Sequence, residues 1–248
     1  MVSEERGKIH IGCAGWSIPS TQAAAFGDGA SHLARYATRF DAVEINSSFY
    51  RPHRPATYRR WAASVPDGFQ FAVKVPRTIT HEHRLAESGH LLDAFLEQCG
   101  ELGPALGPLL LQLPPSLKFD EQVVSGFLSS LRERFNGGVV CEPRHASWFN
   151  DGAADALLAR HRIARVAADP AVVPRAAEPG GWDGMVYYRL HGSPRLYYSS
   201  YDDAALDALA AKLKVAAQTG AAWCIFDNTA AGAAVDNALH LQECLVSV

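Results

Sequence analysis

Charged side chains recur at the ends of short apolar runs in this sequence. The acids are Glu44, Glu142 and Asp169, and the bases are Lys74, Arg144 and Arg189. Carboxylates can donate or accept protons during a reaction, and a guanidinium group binds a carboxylate or phosphate through two hydrogen bonds. If the fold brings these residues together, their types predict acid–base chemistry on an anionic compound.

Alternation within the runs indicates which side chains share a face. In residues 69–75, large apolar side chains alternate with Gln70, Ala72 and Lys74. Successive side chains of a strand point to opposite faces, so the polar residues collect on one of them. The same alternation assigns these residues to that inward face: Glu44, Asn46, Gln112, Glu142, Arg144, Asp169, Tyr187, Arg189 and His191. The eighth run ends in Asp227 and Asn228, and its alternation is ambiguous.

The elements that must position these residues alternate between strand and helix. Strands are predicted at 9–13, 42–46, 69–75, 108–113, 138–142, 164–169, 185–191 and 222–227. Helices are predicted at 31–40, 55–64, 88–102, 121–135, 151–161, 203–219 and 233–246. This α/β pattern predicts a closed parallel sheet of eight strands, a single (β/α)8 barrel over residues 1–248. An open doubly wound sheet is the alternative, but no GxGxxG loop follows the first strand.

The sixth unit departs from the pattern. Residues 170–184 read PAVVPRAAEPGGWDG, with three prolines and three glycines. Both residue types disfavour helix interiors. We therefore predict that a loop or a short turn replaces the helix in this unit.

The inward polar residues lie near the carboxyl ends of their strands, where (β/α)8 barrels carry their active sites. The turns after the strands add aromatic and basic residues that could stack a ring and neutralise an anion: Tyr50, Arg77, His81, His145 and Trp148. Three acids opposite three bases could also neutralise one another. A purely structural network is therefore the alternative to a functional site.

Composition narrows the class of protein. The chain has 48% hydrophobic residues and a net charge of −3, which is typical of a globular protein and does not favour general nucleic-acid binding. Its five cysteines form no CxxC pair and are expected to be buried and reduced. No run is long enough to span a bilayer. The polar, acidic first ten residues lack a signal-peptide pattern, so a cytoplasmic protein is expected.

Seven segments carry a family resemblance. They are GCAGWS, FDAVEINSSFYRPH, FAVKVPRTITH, LLLQLPPSLKF, CEPRHASWF, YYRLHGS and CIFDNTAAGAAVDNA, in this order across essentially the whole chain. Together they resemble the YecE-like family, also called domain of unknown function 72. The resemblance implies a TIM barrel and supplies no catalytic assignment. Pro143 stands where the family usually has an aromatic residue, and Asp227 where an asparagine pair is common.

The family's recurrent polar positions match residues of this chain. They are Glu44, Asn46, Tyr50, Lys74, Arg77, His81, Gln112, Glu142, Arg144, His145, Trp148, Arg189, His191, Gly192 and Asn228. With the alternation, they favour an enzyme acting on a phosphorylated or carboxylated small molecule. Glu44, Glu142 and His191 are the candidate acid–base groups. The candidate substrate-binding residues are Asn46, Tyr50, Lys74, Arg77, His81, Gln112, Arg144, His145, Trp148, Asp169, Arg189 and Asn228. No cofactor or membrane contact is predicted, and hydrolase, lyase and isomerase chemistry all stay open.

Two other function classes fit part of the pattern. A metal-dependent phosphodiester hydrolase could hold a divalent ion with Glu142, Asp169, His191 and Asp227. Arg144 and Arg189 would repel such an ion. A non-catalytic module could bind nucleic acid or a partner protein through the aromatic and basic rim. The negative net charge and the inward position of the charges weigh against this module.

Overall fold

Strands and helices alternate along residues 7–246, the part of the chain that the computed structural model describes. The strands are β1 (Ile9–Cys13), β2 (Ala42–Ile45), β3 (Gln70–Lys74), β4 (Leu106–Gln112), β5 (Val139–Glu142), β6 (Ala164–Arg165), β7 (Ala167–Asp169), β8 (Gly180–Gly181), β9 (Met185–Leu190) and β10 (Ala221–Phe226). The α-helices are α1 (His32–Tyr36), α2 (Ser47–Tyr50), α3 (Pro55–Ala62), α4 (Gly89–Cys99), α5 (Glu121–Arg134), α6 (Ala153–Arg160), α7 (Asp203–Ala217) and α8 (Ala233–Val246). Residues 1–6, which belong to the stretch without a signal-peptide pattern, lie outside the described residues.

Hydrogen bonds arrange the strands in two sheets. One sheet has the order β1-β10-β9-β7, and the other has the order β2-β3-β4-β5-β6-β8. Every pairing is parallel except that of β6 with β8. The predicted α/β class with parallel strands is therefore confirmed.

Short links join the two sheets at both margins. On one side, Ala14 and Glu44 form a parallel bridge, and the Gly15 amide donates to the Glu44 carbonyl at 2.9 Å. On the other side, Val166 separates β6 from β7, and its amide donates to the Cys141 carbonyl at 2.8 Å. The edge strands β1 and β2 thus lie side by side, and on the other side the chain passes directly from β6 of one sheet to β7 of the other.

Sequence signals at the helix starts act as expected. The Asp120 carboxylate accepts a hydrogen bond from the Val123 amide at the start of α5, and Asp202 accepts one from Ala205 at the start of α7. Pro55 occupies the first position of α3, where its missing N–H has no helical partner to lose. The short helix α2 was not predicted.

The segment after β7 has no α-helix. It contains a single 3-10 turn, Pro174–Ala177, and the two-residue strand β8. A Cβ added at Gly180 would collide with the Arg165 guanidinium, so a larger residue there would displace this buried group. The predicted loop in the sixth unit is confirmed.

Apolar side chains form two buried clusters on opposite faces of the strands. The larger cluster lies between the strands and the helices, and it contains Val43, Phe71 and Leu111. The smaller one draws alternate residues from both sheets: Ala42, Ala72, Leu110, Val140, Ala164, Val166, Ala168, Met185, Tyr187, Ala221, Trp223 and Ile225. The predicted inward parity of the second, third, fourth, fifth and seventh runs is confirmed. In the eighth run, whose alternation is ambiguous in the sequence, Trp223 and Ile225 face inward.

The remaining fold-level expectations concern the cysteines and the membrane. All five cysteines are buried and free. Across residues 7–246, no helix combines the length and the apolar character needed to cross a membrane.

Candidate functional site

Arg189, near the end of β9, lies at the centre of a buried polar cluster and is 1% exposed. Its Nη2 lies 2.7 Å from Glu44 Oε1 and 3.0 Å from Asp227 Oδ2. Its Nη1 lies 3.2 Å from Glu142 Oε2. Burial disfavours the charged guanidinium, but attraction to Asp227, Glu44 and Glu142 outweighs burial and raises the pKa of Arg189 well above its usual range. One guanidinium therefore joins three carboxylates from three different strand ends.

Glu44 accepts a further hydrogen bond from Tyr187 of β9. The Tyr187 hydroxyl donates to Glu44 Oε2 at 2.8 Å, and the Tyr187 ring stacks on Trp223 with centroids 5.9 Å apart. Tyr187 and Trp223 belong to the smaller apolar cluster. Glu44 is thus fully buried and is bound by both Arg189 and Tyr187, whose ring stacks on Trp223.

Glu142 accepts hydrogen bonds from four side chains. Gln112 Nε2 donates at 3.0 Å, Arg144 Nη1 at 2.8 Å and Arg189 Nη1 at 3.2 Å, while His191 Nε2 lies at 2.9 Å. Burial favours the neutral acid, but Arg189, His191 and Arg144 together lower the pKa of Glu142 well below its usual range. Glu142 is therefore an ionised acceptor that has no free lone pair to take a proton from a ligand.

His191 lies between two carboxylates. Its Nδ1 is 3.0 Å from Asp227 Oδ2, and its Nε2 is 2.9 Å from Glu142 Oε1. Ionised carboxylates only accept hydrogen bonds, so this placement favours an imidazolium whose two ring nitrogens both donate, while Arg144 Nη1 and Arg189 Nη1 each lie 3.3 Å from Nε2 and oppose that charge. Burial opposes this charge, but Glu142 and Asp227 outweigh burial and raise the pKa of His191. Burial disfavours the charged form of Asp227, but Arg189, followed by His191, outweighs burial and lowers the pKa of Asp227.

Lys74, the last residue of β3, has a different environment. It is 7% exposed, and its Nζ lies 4.2 Å from the centroid of the Phe49 ring. Within residues 7–246, no hydrogen bond or ion pair reaches this Nζ atom. Burial and the nearby Arg189 lower the pKa of Lys74 to about 8, despite attraction to Glu44, Glu142 and Asp227.

Comparison with known proteins places the chain in a family. The family model described as "Protein of unknown function DUF72" matches residues 10–247. The chain belongs to the DUF72 family. The resemblance to YecE-like proteins is thereby confirmed.

Two curated relatives match this DUF72 chain over part of its length. The UPF0759 protein YecE of Escherichia coli K12 is 35% identical over 153 residues, which are 61% of this chain and 54% of that protein. The UPF0759 protein YunF of Bacillus subtilis 168 is 26% identical over 150 residues, or 57% and 52% of the two chains. The match thus spans about half the length of these relatives.

Solved structures of DUF72 proteins share the fold of this chain. EF0366 of Enterococcus faecalis V583 has a TM-score of 0.81 at 21% identity, covering 97% of this chain and 96% of that one. TM1631 of Thermotoga maritima MSB8 has a TM-score of 0.78 at 22% identity, covering 97% and 100%. At these identities the likeness concerns the fold alone.

The rim of the DUF72 site contains fewer buried groups. Tyr50 is 72% exposed, and Arg77 pairs with Glu82 at 3.1 Å on the surface. His81 contacts the Phe49 ring edge-on at 4.9 Å, and burial, followed by Lys74 and Arg77, lowers its pKa. His81 is therefore neutral at pH 7 and shares a ring contact with Lys74.

Several of the predicted residues hold loops in place. His145 Nδ1 accepts from the Ser147 amide at 3.1 Å and caps a 3-10 turn. Asn228 is buried, and its Nδ2 donates to the Ser199 carbonyl and to Asn237 at 2.9 Å each. Asn46 directly follows β2, and its Oδ1 is buried without a hydrogen-bond partner among residues 7–246.

Two predicted positions need correction. Trp148 is 1% exposed, and its Nε1 donates to the Leu117 carbonyl at 2.9 Å, so its ring is not available to a ligand at the mouth. Asp169 was predicted to point inward. Ala164, Val166 and Ala168 occupy the inward face instead, and Asp169 accepts from the Tyr201 hydroxyl at 2.7 Å.

Sequence reasoning left two members of the site unassigned. Asp227 entered only the metal alternative, because β10 is apolar on both faces and gave no parity signal. Tyr197 lies on the loop after β9, with its ring centroid 6.0 Å from that of His191. The proximity of YYRLHGS to a tyrosine-rich turn was the only signal that could have indicated Tyr197.

The predicted metal donors do not form a site. Asp169 is bonded to Tyr201, and the Arg189 guanidinium contacts both Glu142 and Asp227. Both nitrogens of His191 are engaged by carboxylates. Over the part of the chain that the structure describes, no group of three or more histidine, cysteine or acidic side chains is arranged to hold a metal ion.

Proposed function

We propose that this DUF72 protein is an enzyme that performs acid–base chemistry on a phosphorylated or carboxylated small molecule. The ligand would bind at the carboxyl ends of the strands, above the cluster around Arg189. The proposal includes closure of the two sheets into one (β/α)8 barrel. Closure is supported by the hydrogen-bonded links at both sheet margins and by an apolar cluster drawn from the strands of both sheets.

The charge balance of the cluster carries the proposal. Glu44, Glu142 and Asp227 are matched by Arg189, Arg144 and the imidazolium of His191. Lys74 is a fourth basic group in the same field, and among residues 7–246 no carboxylate lies within ion-pair distance of it. Protonated Lys74 therefore leaves the site with an excess positive charge, which an anionic ligand would neutralise.

The roles proposed for the acidic and basic residues differ from the roles that the sequence alone predicted. Glu44 and Glu142, expected to act as acid or base, are fully buried and saturated with hydrogen bonds, so they hold Arg189 and His191 in place. Arg144, whose side chain is 17% exposed, and Lys74 are the groups placed to contact the anion. Lys74, whose pKa is lowered to about 8, and His81, whose pKa is lowered below its usual range so that the ring is a neutral base, are the groups suited to transfer protons.

The other function classes have less support. A metal-dependent hydrolase needs donor atoms that converge on one ion. The Arg189 guanidinium contacts both Glu142 and Asp227, the acids that would have to bind that ion. A surface module for nucleic acid does not require ionised groups that are fully buried, such as Glu44 and Glu142.

Calorimetric titration tests the proposal. The wild-type protein is titrated with inorganic phosphate, 2-phosphoglycolate and citrate, beside Arg144→Ala and Arg59→Ala. Arg59 is a matched control because its side chain is 61% exposed and pairs with Glu101 away from the cluster. We expect at least one anion to bind wild type and Arg59→Ala equally, and Arg144→Ala about tenfold or more weakly, which corresponds to about 1.4 kcal/mol. Equal binding by all three proteins, or no binding at all, would overturn the proposal.

A further inference from the structure

We propose that the Lys74 amine is a nucleophile and that the substrate is an anionic aldehyde or ketone, which Nζ attacks at the carbonyl carbon. This inference rests on the proposed function. It adds the chemical class of the substrate and a covalent step.

The first support is the position of the amine. Lys74 ends β3, and Ala72, two residues earlier, belongs to the inward apolar cluster. Its side chain therefore leaves the strand toward the same side as Glu44 and Glu142. The β3 backbone is fixed there, because the Ser48 hydroxyl donates to the Lys74 carbonyl at 2.6 Å. A reactive group on a rigid strand end is held in a defined position.

The second support is that the surrounding acids are already occupied. Glu44 is bound by Tyr187 and Arg189, and Asp227 is bound by His191 and Arg189. Glu142 has four donors of its own. A buried lysine normally pairs with a carboxylate, and an ion pair would keep it protonated and inert. Here the Nζ faces an aromatic ring instead.

The third support is electrostatic. Burial and Arg189 lower the pKa of Lys74 to about 8, so roughly a tenth of the amine is neutral at pH 7. A lysine that is desolvated beside another cation is an established way to activate an amine for carbonyl chemistry. His81 contacts the same Phe49 ring and is neutral at pH 7, so it can accept or return a proton.

The step balances without an oxidant or a reductant. The Nζ lone pair forms a C–N bond while the carbonyl π electrons move to oxygen, which takes up a proton to give a carbinolamine. Loss of a proton from nitrogen and protonation of the hydroxyl then break the C–O bond. Water leaves, and the product is a protonated Schiff base. The charged nitrogen stays close to the substrate's own phosphate or carboxylate, which Arg144 would bind.

Reductive trapping tests the inference. The wild-type protein is incubated at pH 7 with glyoxylate, the smallest aldehyde with a carboxylate, and sodium cyanoborohydride. Peptide mapping by mass spectrometry then locates the modified lysines. The chain has only five lysines, so each can be followed separately. We expect Lys74 to be modified about tenfold or more faster than the exposed Lys118, because each unit of lowered pKa raises the neutral amine fraction about tenfold.

Two variants make the result decisive. Lys74→Arg should lose this adduct, because a guanidinium does not attack the carbonyl carbon. The matched control Lys118→Arg should keep both the adduct at Lys74 and the anion binding measured by calorimetry. Modification of exposed lysines with Lys74 unmodified, in a wild-type protein that binds the anions, overturns the inference and leaves the proposed function standing. Failure of the wild type to bind any of the three anions overturns the proposed function and this inference with it. Mapping of the wild type needs no variant, so a misfolded Lys74→Arg does not obscure the outcome.

Discussion

Two arginines of this protein are equally buried but differ in their sets of partners. Arg165, at the end of β6, is 1% exposed and donates to Asp155 at 2.6 Å and to the carbonyls of Arg175 and Glu178. Arg189 is also 1% exposed, yet its ion-pair partners are Glu44, Glu142 and Asp227. Arg165 divides its hydrogen bonds equally between one carboxylate and two backbone carbonyls, whereas Arg189 binds only titratable side chains among residues 7–246.

This difference distinguishes an arginine with a structural role from one whose surroundings change with protonation or with a ligand. Backbone carbonyls do not titrate, and Asp155 is partly exposed and shared with Arg175 at 3.0 Å. Arg165 therefore ties the loop of the sixth unit to β6 and does so at any pH near neutral. Arg189 lies on the inward face among ionisable groups, so its surroundings change when one of them gains a proton or meets a ligand. Burial of an arginine alone does not identify a site; the chemistry of its partners does.

The largest expected effect distinguishes the two arginines by stability. Arg189→Met leaves three buried carboxylates without their shared cation, and we expect it to lower the free energy of unfolding by about 3–5 kcal/mol. Arg165→Met should cost about 2 kcal/mol, since Asp155 keeps Arg175 and contact with water. Urea unfolding at pH 7 measures both. Equal losses in the free energy of unfolding would contradict the distinction between the two arginines.

A stabilising substitution is expected beside Arg189. Lys74→Met removes a buried cation whose pKa falls from 10.5 to about 8, so at pH 7 the variant should be more stable by about 3 kcal/mol. The penalty on wild type is complete below pH 8, where folded and unfolded chains are both protonated. It fades as the pH rises from 8 to 10.5, and the two proteins should then converge. Chemical unfolding at pH 7 and at pH 10.5 measures the gap, and a gap that does not shrink would argue against a strained amine.

His191 should respond to its acidic neighbours. The raised pKa of His191 contributes stability that is fully present below pH 6.5 and is lost as the pH rises through the folded-state pKa. Glu142→Gln removes one carboxylate and leaves burial unchanged. We expect the pKa of His191 to fall, because Glu142 is the charge that raises it most, and NMR of the imidazole nitrogens measures the change. Glu82→Gln is the control, because Glu82 pairs with Arg77 on the surface. An unchanged pKa of His191 in Glu142→Gln would show that Asp227 alone stabilises the protonated ring.

The smallest effect is expected at the rim. Tyr50 is 72% exposed, so Tyr50→Ala should change the free energy of unfolding by less than about 0.5 kcal/mol. Any effect of this substitution should instead be on anion affinity in the calorimetric titration. A stability loss above 1 kcal/mol would place Tyr50 in the fold and not in the rim.

Alternation predicted the inward face wherever polar and apolar residues alternate cleanly. In β2 and β3 this pattern placed Glu44 and Lys74 correctly beside Ala42 and Ala72. It failed in ARVAAD, residues 164–169, because Arg165 and Asp169 are the polar members and both point away from the inward cluster. It gave no answer in β10, which is buried on both faces. Parallel strands covered on both sides lose the polar signal that fixes their parity.

Side-chain type near a strand end did not separate ligand contacts from loop supports. His145 and Trp148 follow β5 on the same loop as Arg144, yet Trp148 is buried with its Nε1 bonded to the Leu117 carbonyl, and His145 caps a turn. The sequence also does not show that Glu142 is saturated, since its four donors come from β4, β9 and two loop positions. Those contacts depend on tertiary packing, which local patterns do not encode.

A crystal structure of the protein soaked with the tightest-binding anion tests the central claim most directly. The account predicts density for the phosphate or carboxylate at the carboxyl ends of the strands, in contact with Lys74 Nζ and Arg144, with the bonds among Arg189, Glu44 and Glu142 unchanged. An anion bound only elsewhere on the surface, with Lys74 still facing Phe49 and no ligand beside it, would contradict the claim. The polar cluster would then be a structural network of the kind that Arg165 represents.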